Sequence, residues 1–185
     1  MGKRVCPWWL GYVLVSPWRR WREDPRAILA PYVRAGMTVL EPGPGMGFFT
    51  LELARLVGPK GRVIAVDVQS RMLERLKRRA AKAGVAERIE ARQAAADSMG
   101  VADLAASVDF TLAFAVVHEM LEASVFFAEA AAASKPGALL LLAEPSGHVN
   151  QAEFDAELQA AAAAGFVVVD RPVIRRSLAA VLRKS

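Results

Sequence analysis

Three glycines at alternate positions, Gly43, Gly45 and Gly47, lie between an apolar run and an amphipathic run. The run before them, 38–40, has the residues of a strand, and the run after them, 49–57, has the periodicity of a helix. Glycine is needed where a ligand touches backbone, because a Cβ would fill the ligand's space or forbid a positive φ. The pattern therefore predicts a strand, a ligand-binding glycine loop and a helix.

Two carboxylates near this loop indicate the kind of ligand. Asp67 ends the next β-type run, 62–66, and lies twenty residues after Gly47. From that position a carboxylate can accept both ribose hydroxyls of a nucleoside, with Val68 beside the same ligand. Glu41 precedes the glycines, where its charge would repel the pyrophosphate of a dinucleotide. The two carboxylates predict an adenosine-like ligand that carries a cationic group, and they argue against NAD.

The run E-x-G-x-G-x-G at 41–47, followed by Asp67, resembles motifs I and II of the class I S-adenosylmethionine-dependent methyltransferases. The resemblance extends from Val33 to the C-terminus, and the ligand of that family carries an ammonium and a sulfonium. It implies S-adenosyl-L-methionine as the cofactor and transfer of its methyl group to a small-molecule acceptor by in-line displacement. The alternatives are a non-catalytic S-adenosylmethionine-binding or interaction protein of the same fold and an NAD-linked enzyme.

The family pattern also suggests how adenine is bound. An acidic residue after strand 3 hydrogen-bonds the adenine amino group, and this position corresponds to Asp97, with Ser98 or Met99 beside the ring. The alternative role of Asp97 is a helix N-cap.

Strand and helix patterns alternate along most of the chain, and the apolar strands predict a parallel sheet covered on both faces. The runs 166–172 and 176–182 have no helix between them, which predicts an antiparallel hairpin. The resemblance implies an α/β, Rossmann-like doubly wound sheet of seven strands in the order 3-2-1-4-5-7-6, with strand 7 antiparallel. The other predicted strands are 38–41, 62–66, 88–92, 108–115 and 138–143. The predicted helices are 24–35, 48–57, 70–83, a short one around 100–105, 119–134 and 151–164.

Both histidines of the chain, His118 and His148, follow neighbouring strands of the predicted sheet. Ligands bind beyond the carboxyl ends of such strands. A histidine there can act as general base for a hydroxyl or thiol, so we expect His118, His148 and Glu119 to be catalytic and Ala115 to contact the cofactor. The alternative is a metal site formed by the histidines with Glu119 or Glu144, but its ligand spacing is unspecific and we expect no metal.

Two known groups of methyltransferases limit the choice of acceptor. Arsenite methyltransferases and quinone C-methyltransferases are similar around the core, but the former use several cysteine thiolates and this chain has only Cys6. The residues after strand 4, 114–117, contain no Asn/Asp-Pro-Pro-Tyr/Phe motif, so adenine or glutamine nitrogens are not expected acceptors. A small molecule is the predicted acceptor.

Composition and charge restrict the class further. The 185 residues are 54% hydrophobic, enough for one well-buried core. A single cysteine excludes an intrachain disulfide and indicates a reducing cytoplasm. The net charge is +5, and the arginines are scattered over several predicted helices. A nucleic-acid-binding protein would show its basic residues in a concentrated stripe, so we expect no nucleic-acid partner.

The N-terminal segment, 1–22, contains all four tryptophans. We divide the chain into an N-terminal aromatic helical arm, 1–36, and an S-adenosylmethionine-binding domain, 37–185. The arm has three alternative roles: it packs against the edge of the core, it forms a lid over the substrate side of the cofactor site, or it makes weak contact with a membrane surface.

Overall fold

The computed structural model describes residues 23–185, and the aromatic segment before residue 23 lies outside the described residues. The predicted division at residue 36 stays a prediction. Within 23–185 the chain forms two compact units, one ending at Ala94 and the other beginning at Ala95. Across these residues, none of the helices combines the length and the apolar character that a membrane crossing requires.

The first helix, α1 (Pro25–Leu29), begins as predicted. The side chain of Asp24 accepts a hydrogen bond from the Arg26 amide at 2.9 Å, and proline occupies the first helical position. The helix does not continue to residue 35 as predicted. Ala30 keeps a helical conformation, but Pro31 has no amide hydrogen to continue the helical hydrogen bonds, so the helix ends at Leu29.

The rest of the unit that ends at Ala94 is a β-α-β-α-β succession. β1 pairs in parallel with β2, and β2 pairs in parallel with β3. β1 and β2 are buried almost along their whole length, as expected for strands covered on both faces. The apolar side of α3 packs here, where Leu73 and Leu76 join Ala65 in a buried cluster. The elements are β1 (Thr38–Pro42), α2 (Thr50–Val57), β2 (Arg62–Asp67), α3 (Ser70–Lys82) and β3 (Ile89–Gln93).

The unit that begins at Ala95 contains the predicted hairpin. β4 and β5 are parallel, whereas β7 runs antiparallel to both β5 and β6. Two predicted helices are wrong in extent: the one around 100–105 is a 3₁₀ turn at Ala102–Leu104, and the one at 119–134 begins only at Ala123. The elements are β4 (Val108–Phe114), α4 (Ala123–Ala133), β5 (Ser134–Pro145), α5 (Gln151–Ala163), β6 (Phe166–Asp170) and β7 (Ser177–Lys184).

The seven strands of the described residues have the order β3-β2-β1-β4-β5-β7-β6. This confirms the predicted Rossmann-like α/β fold, its strand order and its antiparallel seventh strand. The glycine loop follows β1, Asp67 ends β2, and the His118 segment follows β4. Each predicted functional segment therefore stands directly after a parallel strand or at its last residue.

Candidate functional site

The loop between β1 and α2 has the conformation that its glycines predict. Gly43, Gly45 and Gly47 have φ values of 65°, 54° and 84°, a region that residues with a Cβ rarely adopt. The Gly43 amide donates to the Val66 carbonyl at 2.8 Å, and the Gly47 amide donates to the Pro44 carbonyl at 2.9 Å. Backbone hydrogen bonds therefore hold the loop against β2.

The glycines differ in what surrounds them. A Cβ on Gly47 would collide with the side chain of Leu76 on α3, so this glycine is required for packing. A Cβ on Gly45 would meet no atom within 4 Å. Gly45 therefore borders open space, where a bound ligand could approach the backbone.

Asp67 lies beside this loop. Its Oδ2 accepts a hydrogen bond from the Gly45 amide at 3.3 Å, and its Oδ1 accepts one from the Gln69 amide at 2.9 Å. Each carboxylate oxygen can accept more than one hydrogen bond, so these contacts are compatible with binding a ribose diol. Val68, the next residue, is partly exposed, and its carbonyl accepts a hydrogen bond from Gln93 at 3.4 Å.

Glu41 is buried at the end of β1, with only 3% of its surface exposed. Burial raises the pKa of Glu41 to about 8; the Thr50 hydroxyl opposes this shift, and the charge of Asp67 adds to it. Among the residues that the structure describes, the Oε2 atom of Glu41 has no hydrogen-bond partner. A buried carboxylate oxygen without a partner is a favourable contact for a cation, which fits a ligand that brings a cationic group to this loop.

His118 forms the centre of a second cluster, in the unit that begins at Ala95. Its Nδ1 contacts Oε2 of Glu144 in a short hydrogen bond. Glu144 is completely buried, and its Oε1 accepts hydrogen bonds from the amides of Val116 and Val117 at 3.3 and 2.8 Å. The predicted helix begins late because Val117–Glu119 form a 3₁₀ turn, after which Met120 and Glu122 are extended and α4 starts only at Ala123. Glu144 thus fixes the orientation of the His118 ring.

The surroundings of His118 are acidic. The hydrogen bond to Glu144 raises the pKa of His118, partial burial opposes the shift, and the charges of Glu144, Glu119 and Glu157 raise it further. The Nε2 atom, which Glu144 does not hold, is 4.0 Å from Oε1 of Glu119. The ring of His148 is edge-on to His118, with centroids 5.7 Å apart, and His148 is exposed. The structure thus brings together the three predicted catalytic residues.

Ala115 connects β4 to the turn that carries His118. It has a φ of 55°, and its amide donates to the Ala143 carbonyl at 2.7 Å. A non-glycine residue in this region carries roughly 1 to 2 kcal/mol of strain, which the surrounding hydrogen bonds must offset. Such strain at the end of a strand is typical of functional sites.

Ser98 and Asp97 lie in a turn after β3. The Ser98 hydroxyl donates to Glu129 in a short hydrogen bond and accepts one from the Gly100 amide at 3.0 Å, so it stabilises the turn. Asp97 is exposed, and the N-cap alternative is wrong because the next helical residues, 102–104, begin after Val101. The adenine contacts of Asp97 and Ser98 stay predictions.

Two acidic residues of the His118 cluster were missed by the sequence analysis as positioning groups. Glu144 was considered only as a metal ligand, and Glu157 was not considered. Both interrupt apolar patterns: Glu144 follows the buried run 140–143, and Glu157 shares the buried side of α5 with Phe154 and Ala161. An acidic residue at a core position is the signal that would have identified them. Within residues 23–185, no group of three His, Cys, Asp or Glu side chains is arranged to hold a metal ion.

Comparison with known proteins identifies the class. A crystal structure of an S-adenosylmethionine-dependent methyltransferase from Aquifex aeolicus is 26% identical and superimposes with a TM-score of 0.86, over 98% of this chain and 100% of that chain. Residues 34–170 match the methyltransferase domain family. The chain therefore belongs to this family, which confirms the predicted class I methyltransferase and its cofactor, S-adenosylmethionine.

Curated relatives match over shorter stretches. The ubiquinone/menaquinone biosynthesis C-methyltransferase UbiE of Hahella chejuensis is 34% identical over 86 residues, which cover 46% of this chain and 32% of that protein. The UbiE protein of a Marinomonas species is 32% identical over 112 residues, which cover 60% of this chain and 44% of that protein. The matched stretches thus span less than half the length of either relative.

Proposed function

We propose that this protein transfers a methyl group from S-adenosylmethionine to a small-molecule acceptor that loses a proton from oxygen, with His118 as the general base. The observation that carries the proposal is the hydrogen bond between His118 and the buried Glu144. A histidine held at Nδ1 by a carboxylate has a fixed tautomer and presents Nε2 to a substrate proton. No such arrangement is needed in a protein that only binds the cofactor.

The cofactor supplies a methyl group activated by a sulfonium. Asp67 would accept hydrogen bonds from the ribose, Gly45 would lie against the ligand, and Glu41 would face the ammonium of the amino-acid part. Asp97 and Ala115 are proposed as further contacts on the evidence of the family pattern. The fit rests on the open space at Gly45 and on the Glu41 oxygen without a partner.

His118 acts on the acceptor. The acceptor O–H proton would pass to Nε2, and the oxygen would bond the methyl carbon as the bond to sulfur breaks, which leaves S-adenosylhomocysteine. If a carbon conjugated with the oxygen takes the methyl group instead, that carbon would then lose its own proton and the oxygen would regain one. His118 must be neutral to accept this proton, and Glu144 then stabilises the imidazolium that forms. Glu119 and His148 lie beside the His118 ring and would line the part of the site where the acceptor binds.

The acceptor class that these residues favour is a phenol or hydroquinone. Such a group has a proton that a histidine can remove, and the matching UbiE proteins are named for quinone biosynthesis. A decisive assay supplies isotopically labelled S-adenosylmethionine with phenols and hydroquinones and, as controls, their fully O-methylated counterparts. We expect label in the unprotected compounds only. Tight binding of S-adenosylhomocysteine without transfer to any acceptor would instead support a non-catalytic binding protein.

Replacement of Asp67 by alanine tests the ribose contact. A charge-assisted hydrogen bond contributes on the order of 1.5 to 3 kcal/mol, so Asp67→Ala should weaken S-adenosylhomocysteine binding about tenfold or more. Calorimetric titration measures the affinity, and thermal unfolding checks that the fold is intact. Gln69→Ala is the matched control, because it retains the backbone amide that donates to Asp67. Unchanged affinity in Asp67→Ala would exclude the assignment.

Replacement of Glu144 by glutamine tests the positioning of the base. Because the hydrogen bond to Glu144 is the main cause of the raised pKa of His118, Glu144→Gln should lower that pKa. Neutral His118 is the active form, so the rate rises with pH through this pKa, and the rising limb should move to lower pH in the variant. The plateau rate should fall on the order of tenfold, because the imidazolium loses its counter-charge.

The pH dependence of kcat is the measurement, with Glu119→Gln as the comparison. Glu119 is a smaller cause of the raised pKa of His118 than Glu144, so its replacement should move the limb less. Identical pH profiles for wild type and Glu144→Gln would rule out the proposed pairing.

A further inference from the structure

Glu41 is a carboxyl group that the fold encloses without a partner for one of its oxygens. It is 3% exposed, and its Oε2 makes no hydrogen bond. The hydroxyl of Thr50, at the start of α2, is buried beside it and only partly offsets the effect of burial on the pKa of Glu41. An ionised carboxylate in such surroundings has lost the solvation of water with little to replace it, so the neutral acid is favoured.

The charge of Asp67 favours the neutral acid of Glu41 too. From β2, Asp67 places a second carboxyl nearby and disfavours ionisation of Glu41. On α2, Glu52 and Arg55 pair with each other at 3.0 Å, and Arg26 of α1 also contacts Glu52, at 3.3 Å. Among residues 23–94, no arginine or lysine forms an ion pair with Glu41. A cationic ligand that binds beside Glu41 would supply the counter-charge that these residues do not provide.

We propose that Glu41 carries a proton in the ligand-free protein at neutral pH and releases it to water when the cationic amino-acid part of the cofactor binds beside it. The inference rests on the proposed function in that the ligand is S-adenosylmethionine or its demethylated product. It makes Glu41 a residue that selects for an ammonium group, because a neutral ligand gives no reason for the proton to leave.

The size of the effect follows from the titration of the group. With the pKa of Glu41 raised to about 8, most of the side chains are protonated at pH 7. Binding of a cation should then release up to one proton per ligand at pH 7. Affinity for such a ligand should rise about tenfold per pH unit up to about pH 8 and level off above it.

Calorimetry can count this proton directly. S-adenosylhomocysteine is titrated into the protein at pH 7 in phosphate and in Tris, whose ionisation enthalpies differ, and the difference in observed heat gives the protons released. Glu41→Gln keeps the shape of the side chain and removes the titrating group, so it measures the contribution of every other group, including the ligand's own amine. We expect wild type to release more protons than the variant, by up to one proton per ligand bound.

A second ligand tests whether the ammonium group causes the proton release. Methylthioadenosine has the adenosine and the sulfur of the cofactor but lacks its amino-acid part, and its binding should release no proton from Glu41. If Glu41→Gln does not fold, infrared difference spectra of wild type give the same information, because the carbonyl band of a protonated carboxylic acid should disappear on addition of S-adenosylhomocysteine.

The outcomes separate this inference from the proposed function. Binding of S-adenosylhomocysteine with equal proton release in wild type and Glu41→Gln would overturn the inference and leave the methyltransferase proposal intact. Equal release with both ligands would overturn it too, because the ammonium would then not be the cause. Absence of any binding by wild type would overturn both.

Discussion

Replacement of His118 by alanine is expected to reduce methyl transfer on the order of 10²- to 10⁴-fold, the usual contribution of a general base. Affinity for S-adenosylhomocysteine should be unchanged, because the contacts of His118 are with Glu144, Glu119 and His148, whereas the proposed ribose and ammonium contacts come from other residues. Single-turnover rates with a phenolic acceptor measure the first effect, and calorimetry measures the second.

The variant should remain folded. Glu144 loses the histidine but keeps the amides of Val116 and Val117, so its buried charge retains hydrogen bonds. Two controls make the result specific. Free imidazole should restore part of the rate in His118→Ala, because it supplies the missing base in the space that the side chain leaves. His148→Ala should have a smaller effect, since His148 is exposed and no carboxylate of residues 23–185 hydrogen-bonds its ring. A wild-type rate in His118→Ala would exclude His118 as the base.

Much of the fold could be predicted because its signals are local. Apolar runs separated by helix patterns predict parallel strands, and a final pair of strands without a helix between them predicts a hairpin. The errors occur at helix ends. Pro31 interrupts the hydrogen bonds of α1, and the extended conformation of Met120 and Glu122 delays α4 until Ala123. The second effect has no local signature, because residues 119–122 include no proline or glycine.

The residues of the candidate sites also differ in how far the sequence alone could predict their contacts. The glycine loop, Glu41 and Asp67 belong to one short β-α-β succession with fixed spacing, so the sequence predicts their proximity. The partner of His118 could not be assigned, because Glu144 is brought to it by the pairing of β4 with β5. Local spacing likewise did not reveal that Ser98 hydrogen-bonds Glu129. Residues that act within one motif were therefore predictable, and residues joined by tertiary pairing were not.

Replacement of Gly45 by valine is expected to abolish measurable binding of S-adenosylhomocysteine, a loss of about 100-fold or more. A Cβ at this position would meet no atom of residues 23–185 within 4 Å, so the branched side chain would occupy the region proposed for the ligand. The φ of 54° adds roughly 1 to 2 kcal/mol of strain, so a modest fall in melting temperature should accompany the loss. Calorimetry and thermal unfolding measure the two effects separately.

Gly47 provides the matched control for strain and packing. Alanine at Gly47 has a positive φ as well, but its Cβ would collide with Leu76. Gly47→Ala should therefore lower the melting temperature more than Gly45→Ala. The variants at Gly45 should instead lose more affinity for S-adenosylhomocysteine, relative to their loss of stability, than the variant at Gly47. This opposite ranking separates a ligand contact from a folding requirement. If Gly45→Val folds and binds S-adenosylhomocysteine as wild type does, the open space beside Gly45 is not the cofactor site, and the loop is only a turn.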